Sequence, residues 1–229
     1  MNQRNPNGVS RQRASSEGHG SAGIIRRHAF QVLVFDCDGV LFDSREANTQ
    51  FYSHILQVIG RPPVRPEQQG FIHMHPVRES LHFLLPEEKD FQKAWDYTQT
   101  IDFKAFNVHL KPEPGLVEFL ESARSTHRIA MATNRTVSTR EVLAHFSLEQ
   151  YFDLVVSASD VRFPKPHPES MERILETFQV GADQVLYVGD SQVDEALAAS
   201  TGVCFVAYKN PSLMANFHIS HFSELHPII

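Results

Sequence analysis

The stretch Gln31-Val-Leu-Val-Phe-Asp-Cys-Asp-Gly39 decides the fold of this chain. Its first five residues form a short, continuous apolar run, which is typical of a strand buried on both faces of a parallel sheet. The run ends in Asp36-Cys-Asp-Gly39, where polar residues and a glycine predict a turn. We therefore expect a buried strand that delivers two carboxylates, two residues apart, at its carboxyl end.

Further strand-like runs follow, and helical patterns alternate with them. The predicted strands cover residues 129–133, 154–157, 185–188 and 203–206. The predicted helices cover residues 115–124, 136–146, 168–178 and 193–200. This alternation favours an α/β fold, namely a doubly wound, Rossmann-like parallel sheet with right-handed crossovers and helices on both faces.

One long interval breaks the alternation and predicts an insertion. From Ser44 to Pro114 no second strand is recognisable, and helical patterns cover residues 46–60 and 87–106, with a shorter one near 77–85. We interpret this interval as a small helical cap domain inserted after the first strand. The expected organisation is a disordered tail over residues 1–28, a core domain over 29–43 and 112–229, and a cap domain over 44–111.

Charge, cysteine content and hydropathy limit the classes of function. The formal net charge is −6, and residues 1–28 carry five arginines against one glutamate, so the remainder is acidic and suits nucleic acid poorly. No apolar run approaches the roughly 18–20 residues of a membrane span, and the tail lacks the apolar core of a secretory signal. Cys37 and Cys204 lie far apart in apolar runs, which favours reduced thiols. We expect a cytoplasmic monomer or homodimer without nucleic-acid or membrane partners.

Polar residues follow the predicted strands, at the edge where doubly wound sheets bind ligands. They are Asp36 and Asp38 after the first strand, Thr133 and Asn134 at the second, Lys165 beyond the third, and Asp190 and Asp194 after the fourth. Four carboxylates at one edge repel one another, and they would repel an anionic substrate unless a cation compensates. The pattern therefore predicts a metal site.

These motifs resemble those of the haloacid dehalogenase-like hydrolase superfamily. They are Asp36-Cys-Asp-Gly-Val-Leu-Phe-Asp-Ser44, Thr133-Asn134, Lys165-Pro-His-Pro168 and Gly189-Asp-Ser-Gln-Val-Asp194, in the family's order. The resemblance runs from about residue 31 to residue 208. Residues 114–120 and 194–202 are similar to the phosphoglycolate phosphatase and β-phosphoglucomutase branch, which carries a mobile cap where the helical insertion lies.

The resemblance implies a phosphoric monoester hydrolase that works through an aspartyl-phosphate. Asp36 is then the expected nucleophile. Asp38 is the expected general acid and base, which protonates the leaving oxygen and later deprotonates the attacking water. Dehalogenases of the superfamily lack this second aspartate, and a carbon–halogen bond needs no proton donor, so phosphoryl transfer is favoured over halide displacement.

The resemblance also implies a cofactor, Mg²⁺, and a set of groups that bind the substrate. Mg²⁺ prefers oxygen ligands, and the expected ligands are Asp36, the backbone carbonyl of Asp38, Asp190 and Asp194, the last directly or through water. Lys165 is expected in the catalytic set, where it also holds the phosphoryl oxygens together with Thr133, while the backbone N–H groups of Gly39 and Asn134 add donors.

The sequence leaves the substrate and one alternative reaction open. A small phosphorylated metabolite, of the phosphoglycolate or sugar-phosphate type, is the expected substrate; a phosphomutase of the β-phosphoglucomutase type is the alternative, and a non-catalytic binding protein is disfavoured because every residue that the chemistry needs is present. Gly39 is followed by Val40, where phosphoglycolate phosphatases more often have Thr. Arg61, Arg65 and Arg78 of the predicted cap are either surface charges or partners of a substrate anion.

Overall fold

The computed structural model describes residues 30–136 and 138–229, so the predicted tail lies outside the described residues. The strands are β1 (Val32–Phe35), β2 (Phe42–Asp43), β3 (Lys111–Pro112), β4 (Arg128–Thr133), β5 (Leu154–Ser157), β6 (Val185–Gly189), β7 (Cys204–Tyr208) and β8 (Phe217–Ile219). The helices are α1 (Arg45–Val58), α2 (Gln69–Met74), α3 (Val77–Leu84), α4 (Glu88–Thr98), α5 (Lys104–Asn107), α6 (Leu116–Ala123), α7 (Ser138–His145), α8 (Glu169–Phe178) and α9 (Gln192–Thr201).

The main sheet is parallel throughout, with the strand order β5-β4-β1-β6-β7-β8. In its register, Val34 of β1 lies opposite Ala130 of β4 and Tyr187 of β6. From β1 the chain proceeds to β4 and β5 on one side, and then to β6, β7 and β8 on the other. The strand order thus reverses at the carboxyl end of β1, where α/β sheets bind ligands. The predicted doubly wound fold is confirmed.

Residues of β1 alternate between the two faces of the sheet. Leu33 and Phe35 pack into one apolar cluster with Phe119 of α6, whereas Val32 and Val34 pack into a second cluster with α8 and α9. Burial of each such side chain stabilises the fold by about 1.5–3 kcal/mol. Because β1 presents apolar side chains on both faces of the sheet, each face needs a covering layer of helices. This requirement places β1 in the interior of the domain.

The inserted helices have an apolar cluster of their own. It includes Phe51 and Ile55 of α1, Leu81 of α3 and Phe91 of α4. The segment leaves the core after β2 and returns at β3, and these two short strands pair antiparallel, with Phe42 opposite Pro112. The helices therefore pack around a separate centre above the carboxyl edge of the sheet. The domain boundaries at 44 and 111 stay a prediction.

The structure differs from the sequence-based expectation in the insertion. The helix predicted over 87–106 is two helices, because α4 ends at Thr98 and α5 begins at Lys104. The hydroxyls of Thr98 and Thr100 donate to the carbonyls of Trp95 and Tyr97, and such local bonds compete with helix continuation.

Several short elements have no counterpart in the sequence-based expectation. They are β2, β3, β8 and α2, whose lengths of two to six residues are too short for a period to be recognised. Within the described ranges, no helix has the length and apolar character needed to cross a bilayer.

Candidate active site

Asp36 directly follows β1 and lies beside a buried lysine. Lys165 Nζ is 2.9 Å from Asp36 Oδ1 and 2.7 Å from Asp194 Oδ1. Burial opposes the charge on the lysine, but Asp194 and Asp36 outweigh it and raise the pKa of Lys165 above its ordinary value. Lys165 is only 4% exposed, so it serves as a fixed cation between two carboxylates.

Burial raises the pKa of Asp36 to about 7, although Lys165 opposes the shift. Asp194, Asp190 and Asp38 add to the increase through their negative charge. The lysine therefore does not neutralise the site by itself. An additional cation beside Asp36 would stabilise its ionised form.

A cluster of carboxylates provides oxygen ligands for such a cation. One oxygen each of Asp36, Asp190 and Asp194 lie within 4.8 Å of one another. Hard divalent cations such as Mg²⁺ prefer carboxylate and carbonyl oxygens. The donor set and the surplus of negative charge both fit Mg²⁺. Asp38 Oδ is not part of this cluster, which leaves the backbone carbonyl as the predicted contribution of Asp38.

Asp194 is held in place from several directions. It is fully buried in the first turn of α9, and its Oδ1 accepts from Lys165 and, at 2.5 Å, from the Tyr187 hydroxyl. Its Oδ2 accepts from the Ser191 hydroxyl at 2.6 Å and from two backbone N–H groups. Burial alone would raise the pKa of Asp194, but Lys165 holds it below the ordinary value. Both oxygens are thus engaged by protein donors, and a direct metal bond from Asp194 stays a prediction.

Asp38 has a different partner from Asp36. Arg135 Nη2 donates to Asp38 Oδ1 at 2.7 Å, and Arg135 Nε donates to Oδ2 at 3.1 Å. Burial alone would raise the pKa of Asp38, yet the Arg135 guanidinium holds it below its ordinary value. The two aspartates of the first motif are therefore distinct: Asp36 is shifted towards the neutral form, and Asp38 is held ionised.

The predicted substrate-binding residues come from the end of β4, the turn after β1 and the loop between β5 and α8. Thr133 ends β4 and is buried, with its hydroxyl accepting from the Arg135 N–H at 3.1 Å. Asn134 Nδ2 donates to the Lys165 carbonyl at 3.0 Å and to the Met74 carbonyl of α2 at 3.3 Å. Asn134 therefore joins the sheet edge to the inserted helices.

Gly39 occupies the turn after Asp38 with a φ of +83°, which favours glycine. The Gly39 N–H donates to the Phe42 carbonyl at 2.7 Å and is therefore already hydrogen-bonded within the protein. Its hydrogen bond to a phosphoryl oxygen stays a prediction. A Cβ at this position would collide with the Asp190 carboxylate. Glycine at position 39 therefore allows the turn after β1 to contact Asp190, the residue that follows β6.

The sheet edge and the inserted helices enclose a cavity of about 70 Å³. The polar residues around it include all of the predicted catalytic groups. From the core these include Asp36, Asp38, Thr133, Asn134, Arg135, Lys165 and Asp190, and from the inserted segment Asn48, His73, His75 and Asn107. His73 Nε2 lies 3.8 Å from Asp190 Oδ2, so the helical segment reaches the carboxylate cluster. The structure thus brings the predicted residues together, with Asp194 and Gly39 behind this lining.

Sequence reasoning missed three residues of the site. Arg135 directly follows Thr133-Asn134, and its position at a strand end could have identified it as a site residue. Its ion pair with Asp38 could not be predicted from the sequence. Tyr187 lies within β6, where its hydroxyl contacts Asp194 and Lys165. His73 lies in the insertion, which has no strand-end rule to identify it.

The three arginines of the insertion that the sequence analysis singled out do not line the cavity. Arg61 pairs with Asp90 and Glu87, and Arg65 pairs with Glu67. Arg78 lies over the rings of Phe91 and Trp95. The structure therefore favours their interpretation as surface groups over a role in binding a substrate anion.

Comparisons with known proteins identify a family for this chain. The family model described as haloacid dehalogenase-like hydrolase matches residues 33–208. A phosphorylated carbohydrates phosphatase of Thermotoga maritima is 30% identical over 179 residues, which cover 76% of this chain and 82% of that protein. A phosphoglycolate phosphatase of Rhodobacter capsulatus is 27% identical over 185 residues, covering 77% of this chain and 83% of that protein.

A solved structure agrees with these relatives. It is a haloacid dehalogenase superfamily hydrolase of subfamily IA, variant 1, from Geobacter sulfurreducens, 39% identical to this chain. The match covers 86% of this chain and 95% of that protein, with a TM-score of 0.71. The similarity therefore extends over both the sheet and most of the inserted helices.

Proposed function

Since the chain belongs to the haloacid dehalogenase-like hydrolase family and is a phosphoric monoester hydrolase, we propose that it is a Mg²⁺-dependent phosphatase that acts through an aspartyl-phosphate on Asp36. The substrate in this proposal is a small phosphomonoester, of the sugar-phosphate or phosphoglycolate type. The observation that carries the proposal is the position of Asp36, beside Lys165 and the carboxylates of Asp190 and Asp194. No contact among the described residues favours the phosphomutase alternative.

Asp36 is the nucleophile in this proposal, and its two oxygens have different surroundings. Oδ1 accepts from the Cys37 N–H at 2.6 Å and lies beside Lys165. Both contacts fall on Oδ1 and fix the orientation of the carboxylate, so Oδ2 is the oxygen that attacks phosphorus. The bond from phosphorus to the leaving oxygen breaks as the bond to Asp36 forms.

Asp38 moves the protons in both steps. It donates a proton to the leaving oxygen in the first step and accepts one from the attacking water in the second. The pair with Arg135 suits the second step, because it favours the ionised form that accepts a proton. In the first step Asp38 carries a proton to the leaving group. The negative charge of the bound ester favours the protonated form of Asp38, while Arg135 keeps the carboxyl in position.

Asp36, Asp190 and the Asp38 carbonyl would hold Mg²⁺, with Asp194 behind them. When bound, the ion would supply electrostatic stabilisation of the phosphoryl oxygens. Lys165 and Thr133 also line the cavity, where they would add a cation and a hydroxyl. The inserted helices, which we propose form the cap, cover the cavity, and Asn134 connects them to the sheet edge through its hydrogen bond to the Met74 carbonyl.

The test is release of inorganic phosphate from a panel of phosphomonoesters, with Mg²⁺ and with EDTA. Activity is expected with Mg²⁺, and EDTA is expected to abolish it. Asp36→Asn should remove activity, whereas the control Asp43→Asn, an exposed aspartate on β2, should retain it. Phosphate release by Asp36→Asn at the wild-type rate, or at full rate in EDTA, would refute the proposal.

A further inference from the structure

Three buried polar atoms at the cavity have no hydrogen-bond partner among the described residues, and one of them, His73 Nε2, faces the Asp190 carboxylate at 3.8 Å. Asn107 of α5 is only 3% exposed, and its Nδ2 is unpartnered. Asn134 Oδ1, at the end of β4, is also unpartnered. Both residues line the cavity. Since buried polar groups in proteins are nearly always hydrogen-bonded, a free donor and a free acceptor at one cavity indicate a ligand that supplies the opposite groups.

The cationic side chains at the cavity already have carboxylate partners. In the part of the chain that the structure describes, the lysine and arginine side chains that line it are Lys165, held by Asp36 and Asp194, and Arg135, held by Asp38. His73 faces Asp190, and His75 Nδ1 lies 2.9 Å from the Phe71 carbonyl. Among the described side chains that line the cavity, these pairings leave no lysine or arginine for a second anionic group of a substrate.

The inserted segment also lines the cavity with an apolar and aromatic wall. This wall includes Phe51, Ile72, Phe103, Phe106 and Leu110. Phe51 stacks on Phe103 at a centroid distance of 5.3 Å and meets Phe106 edge to face. A wall of this kind suits C–H groups, and it is unfavourable for a carboxylate or a second phosphate, because a buried unpaired charge is expensive.

We infer that the leaving group of the substrate is a neutral carbon chain with hydroxyl groups, and that Asn107 selects it. This inference rests on the proposed function and narrows it. One hydroxyl oxygen accepts from Asn107 Nδ2, a second hydroxyl donates to Asn134 Oδ1, and the C–H face of the chain lies against the aromatic wall. Polyol and sugar phosphates meet these conditions, whereas 2-phosphoglycolate does not, because its leaving group ends in a carboxylate.

The first test is a matched set of three-carbon esters assayed with Mg²⁺. Glycerol 3-phosphate has two hydroxyls, 3-phosphoglycerate has a carboxylate, and propyl phosphate has neither. The two-carbon ester 2-phosphoglycolate is assayed beside this set. We expect kcat/KM for glycerol 3-phosphate to exceed each of the others by about tenfold or more, and tenfold corresponds to about 1.4 kcal/mol. A preference for 2-phosphoglycolate or 3-phosphoglycerate would overturn the inference, but would leave the proposed function standing.

The second test is Asn107→Leu, which keeps the approximate size of the side chain and removes its donor. The ratio of kcat/KM for glycerol 3-phosphate to that for propyl phosphate is expected to fall about tenfold. Ser170→Ala is the matched control, since Ser170 Oγ is also buried and unpartnered but does not line the cavity, and this variant should keep the wild-type ratio.

The outcomes distinguish failure of the inference from failure of the proposed function. An Asn107→Leu variant that loses activity equally on both esters would make Asn107 a structural residue and overturn the inference. Failure of every ester to release phosphate from the wild-type enzyme with Mg²⁺ would instead contradict the proposed function, and the inference would fall with it.

Discussion

Arg135 binds the Asp38 carboxylate with two hydrogen bonds, from Nη2 to Oδ1 at 2.7 Å and from Nε to Oδ2 at 3.1 Å. Arg135 follows β4 and Asp38 follows β1, so the pair connects the ends of two neighbouring strands. Both side chains are largely buried, at 13% and 14% exposure. The pair therefore fixes the direction in which the proposed general acid and base faces the cavity.

Arg135→Lys should lower kcat more than it changes KM. Lysine keeps the positive charge but cannot reproduce the planar, two-pronged contact that orients Asp38. We expect a loss of about tenfold in kcat, from an orientation contribution of about 1.4 kcal/mol. Steady-state phosphate release measures this split, and a variant with the wild-type kcat would show that the orientation of Asp38 does not depend on Arg135.

The sequence predicted the sheet and the residues at its edge for a physical reason. Buried parallel strands are continuous apolar runs, and their carboxyl ends meet at one edge, so Asp36, Thr133 and Asp190 could be placed together. The family resemblance drawn from the four motifs is confirmed. The roles assigned to individual residues remain predictions.

The remainder of the site depends on contacts between distant segments. Arg135 was visible beside Asn134, but its ion pair with Asp38 depends on the register of β4 against β1. Asn107 and His73 come from short helices of the insertion, and no periodicity relates them to the sheet edge. A local sequence pattern therefore predicts which strand ends bear the catalytic side chains. Tertiary packing decides which residues of the insertion face those side chains.

Lys165→Met should destabilise the fold in the absence of Mg²⁺. Asp36 and Asp194 would then be buried without their shared cation, and removal of one partner from a buried ion pair costs about 3–5 kcal/mol. Urea unfolding in EDTA measures the change. Lys111→Met, an exposed lysine of β3, is the control and should stay within about 0.5 kcal/mol of the wild type. A Lys165 variant as stable as that control would contradict the account.

Mg²⁺ should raise the midpoint of thermal unfolding, because a ligand that binds the folded state stabilises it. At a concentration 100 times its dissociation constant the gain is about 2.7 kcal/mol. Asp190→Asn should greatly reduce the shift. Glu113→Gln should keep it, since Glu113 is a buried carboxylate that binds Tyr208 and Lys209. Equal shifts in both variants would argue against a metal held by Asp190.

Gly39→Ala and Gly60→Ala separate backbone strain from collision at the site. Both glycines have a positive φ, of +83° and +77°, so alanine costs each of them about 1–2 kcal/mol. A Cβ at Gly39 meets the Asp190 carboxylate, whereas a Cβ at Gly60 meets nothing within 4 Å. We expect both variants to be destabilised, but only Gly39→Ala to lose phosphatase activity. Comparable activity losses in the two would show that strain alone is responsible.

The central claim is that the phosphoryl group passes through Asp36. The most direct measurement is acid quenching of the enzyme within the first turnover, with Mg²⁺ and its best ester, followed by mass spectrometry of the peptide that carries Asp36. The account predicts one phosphoryl group on Asp36, which forms before inorganic phosphate is released and decays as it is released. A phosphoryl group on any other residue would contradict it.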